Sequence, residues 1–134
     1  MEPFEITPQE HYTQELRTAL SIIQMRYNEK LQEEFAYNEY FLKPMFIDKY
    51  TKAYDMGLDD KELGIETPMV NLSVYNSEHK LINMDITFEE FKGFYRAVKE
   101  VIKPIETKYQ QYLAEIDNLP TLERLDEIIR NNDF

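Results

Sequence analysis

The side chains that could carry chemistry in this chain are few and scattered. Its histidines, His11 and His79, lie far apart and form neither an HxxxH nor an HExxH arrangement, so a helical zinc site is not expected. There is no cysteine, which excludes a thiolate metal site, a disulfide framework and a cysteine nucleophile. Ser21, Ser73 and Ser77 sit in no nucleophile elbow and have no histidine at a suggestive spacing. Gly57, Gly64 and Gly93 cannot assemble a glycine-rich phosphate loop. Carboxylates do pair, at Glu33-Glu34, Asp59-Asp60 and Glu89-Glu90, and buried pairs can hold divalent ions or work as acid and base. Here the Asp55–Glu62 stretch lacks calcium-loop spacing, and Glu89-Glu90 is explained by the favourable field at the start of a helix. The expectation is a non-enzyme with no cofactor and no metal.

Charge and composition narrow the partners. The net charge is −11, with 14 acids and 7 bases in residues 1–66 and 12 acids and 8 bases in residues 67–134. Such a surface repels phosphate backbones and anionic lipids, so no direct nucleic-acid binding and no membrane association are expected. The opening Met1-Glu2-Pro3-Phe4-Glu5 lacks a signal-peptide pattern, and no stretch is apolar for long enough to span a bilayer, so the chain reads as soluble. With 43% hydrophobic residues, eight Phe and ten Tyr in 134 residues, there is ample material for a core.

The elements that must position these residues follow from caps and periodicity. Thr7-Pro8-Gln9-Glu10 combines an N-cap, a first-turn proline and a capping-box glutamate. The apolar stripe that follows, Tyr12, Leu16, Ala19, Leu20, Ile23, Tyr27, Leu31 and Phe35, predicts a long helix running to about Asn38. Pro44 opens a second, shorter helix expected to close at Gly57, and residues 58–69 read as a connector and the internal hinge. Val70–Val74 and Ile82–Ile86 alternate apolar with polar residues around a polar turn, the signature of a β-hairpin. A lone hairpin is marginal in water, so its apolar face must be covered.

Thr87-Phe88-Glu89-Glu90 forms a second capping box. Beyond it Phe88, Phe91, Tyr95, Val98, Ile102, Ile105, Tyr109, Tyr112 and Ile116 alternate three and four residues apart, as in a coiled-coil seam. Pro104 deletes one backbone hydrogen bond at about 3 kcal/mol, so a kinked continuous helix is expected. The bulky aromatics favour a seam that covers the hairpin, leaving any exposed remainder for assembly. Thr121 caps a last short helix with Leu122, Leu125, Ile128 and Ile129 on one face. The fold class is α+β, mainly α: long helices packed with one β-hairpin, and one long heptad-patterned C-terminal helix. A single domain spanning 1–134 comprises a helical N-terminal segment over residues 1–57, the connector 58–69, and the hairpin with helices 70–134. Tyrosine suits interfaces because it joins an apolar body to a polar tip, so Tyr37, Tyr40, Tyr50 and Tyr54 join Val98, Ile105, Tyr109 and Tyr112 as candidate interaction residues.

Three segments carry a resemblance: Ile86-Thr87-Phe88-Glu89-Glu90-Phe91, then Ala114-Glu115-Ile116, then Thr121-Leu122-Glu123-Arg124-Leu125-Asp126-Glu127-Ile128. The stretch from Val70 to Ile129 resembles a domain of unknown function found in bacteriophage tail-fibre and related tail proteins. The resemblance implies a non-enzymatic structural or tail-associated protein in a virion or host cytoplasm, with other virion or tail proteins, or copies of itself in a homo-oligomer, as partners. The competing expectations are an acidic inhibitor that mimics nucleic acid towards a basic host protein, and an assembly chaperone absent from the finished particle.

Overall fold

The computed structural model describes residues 7–134. The reading of Met1–Glu5 as lacking a signal peptide lies outside the described residues. The architecture is mainly helical α+β: α1 Pro8–Leu31, β1 Phe35–Tyr37, β2 Tyr40–Leu42, a 3-10 turn Pro44–Phe46 leading into α2 Ile47–Glu62, β3 Met69–Tyr75, β4 Leu81–Thr87, α3 Phe88–Asp117 and α4 Leu122–Arg130. The capping hydroxyls act as their spacing predicts. Thr7, Thr87 and Thr121 each accept a hydrogen bond from the backbone N–H three residues on, at 3.1, 3.2 and 3.1 Å. The Thr87 hydroxyl also donates to Glu90 Oε1 at 3.1 Å, closing its box.

The chain forms two compact units, residues 31–103 and residues 1–30 with 104–134. In the first, an antiparallel sheet of order β1-β2-β3-β4 carries a core on one face. The predicted hairpin pairs in the register Val70↔Ile86, Leu72↔Met84 and Val74↔Ile82, so its apolar residues share a face. Phe88, Phe91, Phe94 and Val98 of α3 cover that face together with Leu42 and Tyr50. In the second unit, Ala19 and Ile23 of α1 pack with Tyr112 and Ile116 of α3 and with Leu125 and Ile128 of α4. The seam therefore divides. Its first half covers the hairpin as expected, while its second half is covered by α1 and α4 and is not left bare for assembly. Helix α3 continues through Pro104, which is exposed.

Three boundaries differ from expectation. Helix α1 ends at Leu31, not near Asn38, and a second, short hairpin occupies Phe35–Leu42. Its two-residue turn, Asn38-Glu39, has φ of 49° and 72°, the doubly left-handed turn whose twist suits a tight hairpin. Aromatic and β-favouring residues flank that turn, and local pairing overrides a helical stripe that would otherwise include Phe35. Gly57 does not close α2 but lies buried inside it, where a methyl group would overlap the Phe88 ring. Glycine is there to let α2 and the start of α3 approach closely. The helix then runs to Glu62 and ends at Gly64 with φ 88°, so the connector shrinks to residues 63–68.

Candidate functional site

The aromatic candidates are accounted for mainly by packing within the chain. Tyr50 is buried, sits edge-on to Phe91 at 5.5 Å between ring centres, and donates its hydroxyl to the Ser73 carbonyl at 2.9 Å. Burial raises its pKa, since a phenolate there would be desolvated. Tyr37 and Tyr40 pack against Phe94 at 4.9 and 6.2 Å, and Tyr54 stacks on Tyr95 at 4.8 Å. In the other unit, Tyr109 stacks on Tyr27 at 4.0 Å, and the buried Tyr112 donates to the Asp133 carbonyl at 3.1 Å. Val98 is fully buried beneath the sheet and Ile105 is half-buried. Tyr50, Tyr112 and Val98 thus serve as core, with no surface to offer a partner in this fold.

The polar groups are engaged in holding turns and strands. Ser73 Oγ donates to Asn83 Oδ1 at 2.7 Å across the hairpin and accepts from Lys49 Nζ at 3.3 Å. A serine beside a lysine can form a nucleophile–base pair, but that needs a lysine lone pair in a dry site. Lys49 is exposed, and the serine proton is committed to Asn83. At the tip of the β3–β4 turn, Asn76 Oδ1 accepts from the backbone N–H groups of Glu78 and Lys80 at 2.9 and 3.0 Å. His79 adopts φ 62° there, lies over Phe41 at 4.4 Å, and sets Nδ1 2.7 Å from Glu34 Oε2. The acidic pairs are thus split: Glu34 meets His79, and Glu89 lies against Lys61 and Lys92, whose ammonium groups hold its carboxyl below the usual range. Among the described residues, no group of His, Asp and Glu side chains converges as a metal-ligand set.

In the unit built from α1, α3 and α4, a shallow groove of about 550 Å³ is lined by Leu16, Leu20, Leu113, Ile116 and Leu119, with Arg17, Gln110 and Asp117 supplying its polar part. Leu119 follows α3 in a left-handed conformation, φ 52°, with 68% of its surface in water. The sequence signal for the groove was present in Leu16 and Leu20 on the α1 stripe, but Leu119 lies in a loop before Pro120, where no periodicity flags it.

Against known proteins, the chain matches no family model, no curated protein and no solved structure. No helix among the described residues is long and apolar enough to cross a membrane.

Proposed function

We propose that this chain is a non-enzymatic bacteriophage structural or tail-associated protein that works by packing against other proteins of a virion assembly. The observation that carries the packing reading is Leu119. A bulky residue in the left-handed region costs on the order of 1 kcal/mol or more, and the position after a helix is ordinarily filled by glycine or asparagine. Leu119 bears that strain and yet exposes its side chain at the rim of an apolar groove. Exposed apolar side chains are common on this chain, Leu63 among them, and what sets Leu119 apart and supports a role in contact is its backbone strain beside the groove. The setting comes from the resemblance of residues 70–129 to tail-protein sequences.

Leu119→Asn separates the two roles. The variant is expected to melt at the same or a higher temperature, because asparagine tolerates the left-handed conformation, while losing its place in the assembly. Mass spectrometry of purified phage particles and assembly intermediates measures the second effect. Recovery of the wild-type chain in neither, or equal recovery of both proteins, overturns the reading.

A further inference from the structure

The sheet has two free edges, and they are built differently. At one end, β1 is three residues long, preceded by Glu33-Glu34 and followed by Asn38-Glu39. Short length and charge are the usual means of keeping an edge from pairing with another chain. At the other end, β4 is a regular seven-residue strand, Leu81–Thr87, with no proline, glycine or lysine and one charged residue, Asp85. That carboxylate already accepts a hydrogen bond from Asn71 at 3.0 Å. Of the devices that blunt an edge, β4 carries only the single charge of Asp85, and neither short length nor proline nor glycine interrupts it.

The hydrogen-bond phase tells which groups this edge presents. Phe88 N–H donates to Pro68 O, and Asn76 N–H to Lys80 O, both at 2.9 Å, at the two ends of the β3–β4 ladder. Alternation between them puts the backbone groups of Ile82, Met84 and Ile86 towards β3, and those of Leu81, Asn83, Asp85 and Thr87 outward. The same phase explains why the polar side-chain bonds, Ser73 to Asn83 and Asn71 to Asp85, join the closer, non-hydrogen-bonded pairs. Side chains alternate as well: Leu81, Asn83 and Asp85 are exposed on one face, while Ile82, Met84 and Ile86 are half-buried on the core face.

We infer that β4 pairs antiparallel with β4 of a second copy of this chain about a two-fold axis through Met84, extending the sheet across the dimer. A two-fold axis perpendicular to the sheet keeps the core faces on one side, so partners must share parity. Centred on Met84, that register sets Asn83 against Asp85 and Leu81 against Thr87, with their outward backbone groups in hydrogen-bonding phase. It sets Ile82 against Ile86 and Met84 against Met84, prolonging the apolar face. No like charges meet within the strand. Lys80, which lies 3.3 Å from Glu78 in its own turn, comes to the start of α3 in the second copy near Glu90 and near Glu89, the latter already held by Lys61 and Lys92, so charge adds little beyond an absence of repulsion there. This inference specifies a partner for the packing reading and rests on it only in treating self-association as part of the protein's work.

Amide hydrogen exchange by NMR, with light scattering on the same samples, tests it. In concentrated protein the mass should approach twice 16.2 kDa, and the amides of Leu81, Asn83, Asp85 and Thr87 should be as protected as those of Ile82, Met84 and Ile86. Dilution should release the first set alone. Asn83→Asp keeps the acceptor for Ser73 but opposes Asp85 of the second copy at two symmetric positions, and should weaken the dimer about tenfold. Asn83→Lys should restore or tighten it. A chain that stays at 16.2 kDa, or a dimer in which the outward amides exchange freely or Asn83→Asp has no effect, overturns the inference. None of those results touches the assembly reading, which is tested separately by recovery of the wild-type and Leu119→Asn chains in particles and intermediates.

Discussion

Single residues in this protein are set as much by backbone conformation and space as by chemical type. Glu39 illustrates the first. It holds φ 72° in the Asn38-Glu39 turn, a position where glycine avoids the clash that any β-carbon meets. Glu39→Gly should therefore stabilise the fold by about 0.5–1 kcal/mol, after allowing for the entropy glycine loses, and raise the melting temperature by a few degrees in a thermal denaturation series. Gly57 illustrates the second, since its value lies in the missing methyl group that lets the Phe88 ring press against α2. Ser73 shows how a residue type that can be nucleophilic becomes structural when its proton is given to Asn83 and its carbonyl receives the Tyr50 hydroxyl.

At the scale of elements, α3 is the informative one. Its 30 residues keep a heptad-like apolar seam through Pro104 without a shift of register. The seam alone fits a coiled coil. In the folded chain it serves two cores in turn, Phe88, Phe91 and Val98 in one and Tyr112 and Ile116 in the other, and the units divide at Pro104. A proline inside a helix forfeits the bond to the carbonyl four residues earlier, here that of Glu100, and crowds it. Pro104→Ala should restore that bond and stabilise the protein by roughly 1–3 kcal/mol, read as an increase in the denaturant midpoint. An unchanged or lower midpoint would mean that the local backbone geometry proline imposes is itself needed by the fold.

For the whole molecule, the acid excess is counteracted at particular places. Arg124 on α4 makes a two-pronged contact with Glu115 on α3, its Nε meeting one carboxylate oxygen and its Nη2 the other at 3.0 Å, and Glu127 adds a third contact. The Arg124 hydrogen bonds hold the Glu115 carboxyl below its usual value, and the same carboxylate raises the arginine. A depressed acid contributes stability above its unfolded value, near 4.5, and that contribution is lost as the pH falls through the lower folded value. Glu115→Gln should thus melt below the wild type at neutral pH. The difference should close as the pH falls below about 4, and a gap constant from pH 7 to 3 in calorimetric scans would rule out this pair as its source. Arg124 and Glu115 are each about a third exposed, so salt should narrow the neutral-pH gap too.

The sequence by itself determined what local physics can decide. Thr7, Thr87 and Thr121 cap helices because a short hydroxyl and a free N–H are only three residues apart. The β3–β4 register follows from alternating side chains joined by a short turn. That the seam covers the hairpin was legible as well, because bulky aromatics and an otherwise bare apolar sheet face call for each other. The tertiary structure decided what depends on close approach and competition. Phe35 left the α1 stripe for a hairpin, Gly57 became a contact instead of a helix end, and the C-terminal half of the seam found α1 and α4. The candidate surfaces fell in that second class. Leu119 is visible only through its backbone angle and exposure, and the free edge of β4 only through the order of strands, and neither quantity exists until distant segments of the chain are placed together. Folding commits Ser73, His79 and Glu34 to turns and strand pairs, and leaves a largely apolar groove and the unpaired edge of β4 at the surface.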